Sequence, residues 1–253
     1  MDELFSVRDK VVLITGGSSG LGLQLARLFM QRGAKVCSVA THHDPAVCES
    51  LIAGVRFHQP LFVEANLTQA EGVEMAFTQC EAVFGNPEVL FNNAGLSLRK
   101  KFLDVERDEW DRLAEINLKG MFFVAQAAAR RMIAGGKGGS IINMASILGG
   151  KAMTGTSVYS SVKAGVAQMT RSMALELGPQ SVRVNALAPG WFETRMTAGF
   201  LSDPAKSYLK GVNPMRRLGQ EGDLDGAALL LASPAGRYIN GAIITVDGGQ
   251  SLA

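Results

Sequence analysis

The sequence predicts a single α/β domain, a Rossmann-type doubly wound parallel sheet of about seven strands with helices on both faces. Short apolar runs alternate with longer segments of helical periodicity along the whole chain. The runs are nearly continuous, as in strands buried on both faces, and 47% of the 253 residues are hydrophobic. A glycine-rich turn over residues 16–22 connects the first strand to the first helix.

Strands are assigned where an apolar run is bounded by turn residues, and helices where apolar residues recur every three or four positions. The predicted strands are 10–15, 34–40, 60–65, 88–92, 139–145, 181–188 and 242–246. The predicted helices are 20–32, 45–53, 69–84, 106–134, 157–178 and 222–232. Right-handed crossovers then place a ligand crevice at the carboxyl ends of the strands. With no internal repeat or composition shift, we expect residues 1–253 to form one dinucleotide-binding and catalytic domain.

The composition argues against several kinds of partner. A net charge of +2 is too small to indicate nucleic acid or an anionic membrane. Residues 1–5 lack the basic start of a signal peptide, and no apolar run approaches the ~18 residues of a membrane helix. Three widely spaced cysteines argue against a disulfide framework. We therefore expect a soluble, cytoplasmic protein that binds neither nucleic acid nor membrane.

Four residues superficially resemble zinc ligands by type and spacing: Cys37, His42, His43 and Cys48. Cys37, however, falls within the second predicted strand, where its side chain belongs to the core. We therefore expect no metal site.

The segment Gly16-Gly-Ser-Ser-Gly-Leu-Gly22 predicts a phosphate cradle, because it follows a buried strand and opens a helix. Backbone N–H groups and the helix N-terminus face an anion there, while glycines permit a tight turn and close approach of a pyrophosphate. The spacing is T-G-x-x-x-G-x-G rather than G-x-G-x-x-G, and similar turns also occur as plain loops.

Tyr159 and Lys163 stand four residues apart in one predicted helix, so they share a face. A free tyrosine titrates near pH ~10, and an acid/base role at neutral pH needs a shift of ~3 units, worth ~4 kcal/mol. An ammonium about 4 Å away at an effective dielectric of ~20 supplies roughly that energy. We therefore expect Lys163 to lower the pKa of Tyr159. The alternative is an interfacial tyrosine beside a solvated lysine.

Further motifs follow in an order and at a spacing that one family shares. They are Thr15 to Gly22, Asn92-Asn93-Ala94-Gly95, Asn117, Ser146, Tyr159 with Lys163, Pro189-Gly190 with Thr194, and Val246-Asp247-Gly248-Gly249. With them the chain resembles the classical short-chain dehydrogenase/reductase family over nearly all of its length. The resemblance implies an NAD(P) cofactor, hydride transfer between a secondary alcohol and a ketone, and a homotetramer.

The resemblance also implies catalytic roles for Asn117, Ser146, Tyr159 and Lys163. Tyr159 would supply the proton in reduction and remove it in oxidation. Lys163 would lower the pKa of Tyr159 and hold the nicotinamide ribose hydroxyls. Ser146 would hydrogen-bond the substrate oxygen, and Asn117 would hold a water that links Lys163 to solvent. Without the other motifs, Ser146 would be a turn residue and Asn117 would face water.

The cofactor contacts that the resemblance implies come from several strand ends. The residues concerned are Gly16, Ser18, Ser19, Gly20, Leu21 and Gly22 at the phosphates, Ala40, Thr41 and His42 at the ribose, Asn66, Leu67, Asn93, Ala94 and Gly95 around the adenosine, and Tyr159, Lys163, Pro189, Gly190, Phe192 and Thr194 at the nicotinamide. Position 66 departs from the family, which most often has an aspartate that contacts the adenine amine. Asparagine can still accept that hydrogen bond through its carbonyl, so we expect an altered contact rather than loss of binding.

The end of the second predicted strand bears on cofactor choice. An NAD-preferring relative would place an acid near position 40, where this chain has Ala40. Thr41 can donate to a 2′-phosphate, and His42 or His43 can contribute charge when protonated. The glycine turn contains no arginine or lysine, so we expect NADP(H) to be favoured modestly, with NAD(H) still usable.

Residues 190–214 interrupt the regular alternation, and in the resembled family this region is the substrate lid. A packed surface excursion is the alternative. We expect the substrate to contact Ser146, Met153, Tyr159, Trp191, Glu193, Met196 and Phe200. Because most of these are apolar, we expect a hydrophobic or aromatic carbonyl compound. If the side chain of Glu193 pointed into the pocket, it would favour a positively charged substrate such as an amino-ketone. If it pointed outward, it would only contact solvent at the surface of the lid.

Other functions stay open. A 3-oxoacyl-thioester reductase needs a basic surface that binds acyl carrier protein. The candidates for such a surface are Arg130, Arg131 and Arg171. A polyol or sugar dehydrogenase needs several polar groups in its substrate pocket. A binding protein that kept the cofactor but lost turnover is the remaining alternative, although all four catalytic positions are filled.

Overall fold

The computed structural model describes residues 3–194, 197 and 202–253. In these residues seven strands form one parallel sheet with the order β3-β2-β1-β4-β5-β6-β7. The strands are β1 (Val11–Thr15), β2 (Lys35–Ala40), β3 (Leu61–Glu64), β4 (Val89–Asn92), β5 (Gly139–Met144), β6 (Val182–Pro189) and β7 (Ile243–Val246). The doubly wound α/β prediction is confirmed, and each predicted strand end is right to within one residue.

Helices cover both faces of this sheet. In the described residues the α-helices are α1 (Gly20–Gln31), α2 (Pro45–Ala53), α3 (Ala70–Phe84), α4 (Arg107–Ala114), α5 (Met121–Ala134), α6 (Ser157–Leu177), α7 (Asp203–Val212) and α8 (Asp225–Ala232). No helix among the described residues combines the length and hydrophobicity that crossing a membrane requires.

Two apolar cores lie on the opposite faces of the sheet. Within β1, Val12 and Ile14 belong to one core and Val11 and Leu13 to the other, as the two-residue period of a strand requires. The first core includes side chains of α1 and α8, and the second includes side chains of α3 and α5.

Cys37 is fully buried in the second core. Among the described residues no cluster of His, Cys, Asp or Glu has an arrangement that could hold a metal ion.

The predicted helix 106–134 is in fact two α-helices, α4 and α5, joined by the π-helical segment Glu115–Gly120. Asn117, inside this segment, is fully buried and bonds the backbone of Leu96 rather than facing water. A periodicity pattern cannot separate an α-helix from one wider turn, and such turns are frequent at functional sites. The interruption lies next to the carboxyl end of β4, where the motif residues meet.

The last predicted helix begins three residues late, at Asp225 instead of 222. Gly222 has φ +93°, a left-handed conformation that a helix cannot contain. The Asp223 carboxylate accepts the backbone N–H of Gln220 at 2.8 Å and closes the turn ahead of the helix.

Candidate active site

A crevice of about 460 Å³ lies at the carboxyl ends of the central strands, as the topology predicts. Most residues that we expected at the cofactor line it. These are Gly16, Ser18, Ser19, Gly20, Leu21, Ala40, Thr41, Asn66, Leu67, Asn93, Ala94, Gly95, Tyr159, Lys163, Pro189, Gly190, Phe192 and Thr194. Gly22 and His42 are outside the lining. Ser146 is within it, so the catalytic and cofactor motifs share one cavity.

The glycine turn is shaped for close approach of an anion. Gly16 and Gly20 have φ +67° and +55°, and Gly20 begins α1, whose N-terminus opens onto the crevice. A Cβ on Gly22 would lie 2.2 Å from the carbonyl oxygen of Gly16. Gly22 therefore allows α1 to pack against the turn and does not itself face the cavity.

Hydrogen bonds tie the glycine turn to the wall formed after β4. The Thr15 hydroxyl accepts the backbone N–H groups of Asn93 and Ala94, both at 2.9 Å. The Asn93 amide in turn donates to the carbonyl of Thr15 at 2.9 Å. The ends of β1 and β4 are thereby held at a fixed separation, which sets the width of the crevice.

At the adenosine end, the carbonyl oxygen of Asn66 is engaged locally. It accepts the backbone N–H of Thr68 at 3.1 Å and the Thr68 hydroxyl at 2.9 Å. The backbone donor fixes which side-chain atom is the oxygen. The oxygen that we expected to accept from an adenine amine is therefore already engaged by Thr68, and its contact with adenine stays a prediction.

At the ribose end, both histidines are turned away from the crevice. His42 Nδ1 lies 3.1 Å from the carboxylate of Glu64. His43 is buried, its Nε2 is 3.1 Å from the Ser38 hydroxyl, and burial holds the pKa of His43 below its ordinary value. At this end the crevice is lined by Ala40 and Thr41. The expectation that His42 or His43 supplies charge to a 2′-phosphate has no support in this geometry.

Three of the side chains that we predicted to be catalytic lie just after β5 or on α6. Ser146 follows β5 and caps a short turn by accepting the N–H of Leu148 at 3.1 Å. Tyr159 and Lys163 stand one turn apart on α6, as predicted. Lys163 is buried, and its Nζ donates to the carbonyl of Met144 at 2.7 Å.

The expected lowering of the pKa of Tyr159 by Lys163 is not found. Burial raises the pKa of Tyr159 to about 12, against a smaller lowering by its hydrogen bond with Ser146. Burial also lowers the pKa of Lys163 to about 8. The ammonium is 5.7 Å from the centre of the tyrosine ring and is bound to Met144, so desolvation of Tyr159 outweighs the charge of Lys163.

Asn117 acts on the site through the main chain of Leu96. Its Oδ1 accepts the N–H of Leu96 and its Nδ2 donates to the carbonyl of Leu96, both at 2.7 Å. Both polar atoms of the side chain are thus engaged by the main chain of Leu96. What the side chain does is fix the segment that follows Gly95.

A smaller cavity of about 80 Å³ adjoins the catalytic pair. Its described lining is Ser97, Leu98, Arg99, Ser146, Ile147, Leu148, Thr156, Tyr159, Gly190, Trp191 and Thr197. Of the predicted substrate contacts, Ser146, Tyr159 and Trp191 are brought together here. Met153 is outside this lining, and Met196 and Phe200 lie outside the described residues.

Glu193 points away from both cavities. It is half-exposed, and its carboxylate lies 3.2 Å from the ammonium of Lys206 on α7. This corresponds to the outward alternative, so the amino-ketone expectation has no support.

Sequence reasoning missed the polar residues of the smaller cavity. Ser97 and Arg99 follow the Asn92–Gly95 motif directly, so the motif itself was the signal that they stand at the crevice. Thr156 precedes α6 by one residue and lies three positions before Tyr159. No local pattern marks Thr197, which is held by its hydroxyl donating to the carbonyl of Phe192 at 2.8 Å.

Comparisons with known proteins agree with this site. A family model described as "Enoyl-(Acyl carrier protein) reductase" matches residues 16–251. The 2-dehydro-3-deoxy-D-gluconate 5-dehydrogenase of Escherichia coli (strain K12) is 36% identical over 247 residues, covering 97% of this chain and 96% of that protein.

Two solved structures extend the comparison to the fold. A short-chain type dehydrogenase/reductase from Mycobacterium marinum superposes with a TM-score of 0.94 at 33% identity, covering 99% of each chain. A gluconate 5-dehydrogenase from Burkholderia cenocepacia J2315, in complex with NADP and tartrate, has a TM-score of 0.91 at 32% identity, covering 99% of this chain and 98% of that chain. The chain belongs to the short-chain dehydrogenase/reductase family and is an NAD(P)-dependent oxidoreductase acting on CH–OH groups.

Proposed function

We propose that the protein interconverts a secondary alcohol and a ketone, with Tyr159 as the general acid and base. The observation that carries this proposal is that Tyr159 and Ser146 line both cavities at once. The large cavity suits a dinucleotide, because glycine backbone and a helix N-terminus face it where phosphates would lie. The small cavity holds the substrate carbonyl beside the same two hydroxyls.

A bound nicotinamide supplies or accepts the hydride, and the chain's own residues manage the proton. Since the pKa of Tyr159 is raised to about 12, its hydroxyl is protonated at neutral pH and can donate to the oxygen that becomes an alkoxide in ketone reduction. The Ser146 hydroxyl can donate a second hydrogen bond to that oxygen. Alcohol oxidation needs the deprotonated phenol, so its rate should rise with pH through the alkaline range.

The smaller cavity combines apolar side chains, Leu98, Ile147 and Leu148, with more polar groups than the sequence led us to expect. Its described lining contains two aromatic side chains, Tyr159 and Trp191, while Ser97, Arg99 and Thr156 add polar groups. The E. coli relative is named for a sugar acid, which supports the sugar or polyol alternative. We therefore place a hydroxylated substrate ahead of an aromatic ketone.

Acyl carrier protein is the less favoured partner. Arg131 is bound to Glu74 at 2.9 Å and Glu81 at 2.7 Å, and its guanidinium stacks on Phe77. It is therefore engaged within the fold rather than presented to a docking protein. Arg130 lines a groove on the outer helix face, away from both cavities.

For the cofactor we propose a modest preference for NADP(H), with NAD(H) usable. Ala40 leaves space for a 2′-phosphate without an acid to repel it, and Thr41 offers a hydroxyl beside it. Glu64, opposite Ala40 in the sheet, keeps its negative charge because hydrogen bonds from the His43 backbone and His42 lower its pKa. The carboxylate draws His42 away from the phosphate position, which limits the preference.

We also propose a homotetramer assembled from two kinds of contact. One is an apolar groove on the outer face of α5 and α6, where Phe122, Phe123 and Ile133 are 41%, 49% and 40% exposed. The other is the edge of the sheet at β7, whose outer side pairs with no strand among the described residues. Two different two-fold contacts generate a closed tetramer.

The Tyr159→Phe substitution removes the proton donor and keeps the ring. We expect turnover of any ketone substrate to fall by at least ~100-fold, the scale of general acid/base catalysis. NADPH binding, followed by its fluorescence, should stay near the wild-type level. Tyr238→Phe at a fully exposed tyrosine is the matched control. Near-wild-type turnover in Tyr159→Phe would remove this residue from its role.

The Lys163→Ala substitution removes the ammonium that we place beside both the tyrosine and the ribose. We expect both kcat and cofactor affinity to fall, because one buried cation serves both sites. Steady-state kinetics and titration with NADPH measure the two effects separately. Lys137→Ala, at an exposed lysine, should change neither. A change in only one quantity would contradict the dual role.

The Ala40→Asp substitution should shift the preference toward NADH. A carboxylate here repels a 2′-phosphate and accepts hydrogen bonds from a 2′-hydroxyl, so kcat/KM with NADPH should fall by roughly 10-fold or more. Ala40→Asn has the same shape without the charge and should have a much smaller effect. Unchanged selectivity in Ala40→Asp, or strong selectivity of the wild type for NADH, would show that position 40 does not distinguish a 2′-phosphate from a 2′-hydroxyl.

The Phe123→Glu substitution tests the helix-face contact. A carboxylate at the centre of an apolar interface should dissociate the assembly, measured as molar mass by light scattering after gel filtration. Val83→Glu places the same charge on an apolar residue of α3 that is 59% exposed, and it should leave the assembly intact. A monomeric wild type, or an unchanged mass in Phe123→Glu with an unaltered circular dichroism spectrum, would count against this interface.

A further inference from the structure

The smaller cavity has one charged group among its described residues. Arg99 lines it together with the catalytic Ser146 and Tyr159. The remaining described lining consists of hydroxyl-bearing, apolar and glycine residues. Any charge on a substrate that enters this cavity therefore meets a guanidinium.

No described residue neutralises that guanidinium. Arg99 is exposed and has neither an ion-pair partner nor a hydrogen-bond acceptor in the described part of the chain. The adjacent Lys100 differs, since its ammonium lies 2.8 and 2.9 Å from the two carboxylate oxygens of Glu109. Glu193, the acid expected near the substrate, is bound to Lys206. The positive charge at the cavity is therefore available to a ligand.

The backbone that carries Arg99 is fixed on both sides. Before it, Leu96 is held by the two hydrogen bonds from Asn117. After it, the N–H of Lys100 donates to the carbonyl of Gly155 at 2.9 Å. Gly155 has φ +79°, and a Cβ there would lie 3.4 Å from Cγ of Arg99, so the arginine stem runs across this glycine. Because the backbone of this segment is already held in place, Arg99 loses little conformational entropy when a ligand binds. Its charge can therefore contribute to the choice of substrate.

We propose that Arg99 binds a carboxylate of the substrate, so that the preferred substrates are hydroxy acids and oxo acids. Guanidinium matches a carboxylate with two parallel hydrogen bonds, which fixes orientation as well as affinity. With the carboxylate on Arg99, the carbonyl at the other end of a short molecule meets Ser146 and Tyr159. This inference rests on the proposed function, since it assigns the part of the substrate that does not react.

Matched acids and amides test the assignment. The probes are 4-oxopentanoate and 4-oxocyclohexanecarboxylate, each against its primary amide, which has nearly the same shape without the charge. For the wild type we expect kcat/KM to be higher for both acids than for their amides. In Arg99→Gln the acids should lose roughly 10- to 100-fold, the scale of a hydrogen bond to a charged group, and the amides should change little.

Two further variants separate binding geometry from net charge. Arg99→Lys keeps the charge without the paired donors and should recover only part of the loss, mostly in KM. Lys101→Gln removes an exposed charge two residues away and should leave the ratio of acid to amide unchanged. If Lys101→Gln and Arg99→Gln lowered the preference for acids equally, the effect would come from the net positive charge of the surface. Arg99 would then not bind the carboxylate.

The outcomes distinguish this inference from the proposed function. Reduction of ketones without any preference for the acids, or a preference that survives in Arg99→Gln, would overturn the role of Arg99 and leave the oxidoreductase proposal intact. If no ketone were reduced but the acids still bound the NADPH complex in an Arg99-dependent manner, the proposed reaction would fail and the anion site would stand. Binding is measured by the change in NADPH fluorescence.

Discussion

The paired hydrogen bonds between the Asn117 side chain and the Leu96 main chain connect the fold to the chemistry. A fully buried amide that lost either partner would leave a polar group uncompensated in the interior, at a cost of roughly 1–3 kcal/mol. The contact holds the segment after β4 against the π-helical turn between α4 and α5. Because that segment forms one wall of each cavity, the separation of the two cavities depends on it.

The second constraint is the burial of charge at the catalytic pair. Lys163 is retained in an apolar setting with a single described acceptor, the carbonyl of Met144, and its pKa falls to about 8 as a consequence. Burial of Tyr159 moves its pKa in the opposite sense, to about 12. Both shifts favour neutral side chains, as desolvation requires.

The sequence was sufficient for the fold and for the motif residues that face the crevice. Parallel strands place their carboxyl ends at one edge, so motifs such as Asn93–Gly95 and Gly16–Gly20 had to converge once the strands were found. The length of the π-helical segment, by contrast, could not be read from apolar periodicity, because Asn117 is fixed by a partner distant in sequence. The pKa of Tyr159 was also predicted in the wrong direction, since spacing alone gives the distance between two groups but not their burial.

Side-chain direction was the other quantity that spacing could not supply. Glu193 and His42 were expected in the site because of their positions, yet each is engaged by a side chain of another element, Lys206 and Glu64 respectively. Arg99 lines the smaller cavity and has no partner among the described residues, whereas the adjacent Lys100 is bound to Glu109. Among the described residues that line the smaller cavity, Arg99 is the one charged side chain. In our proposal, this cation distinguishes which substrates the smaller cavity accepts.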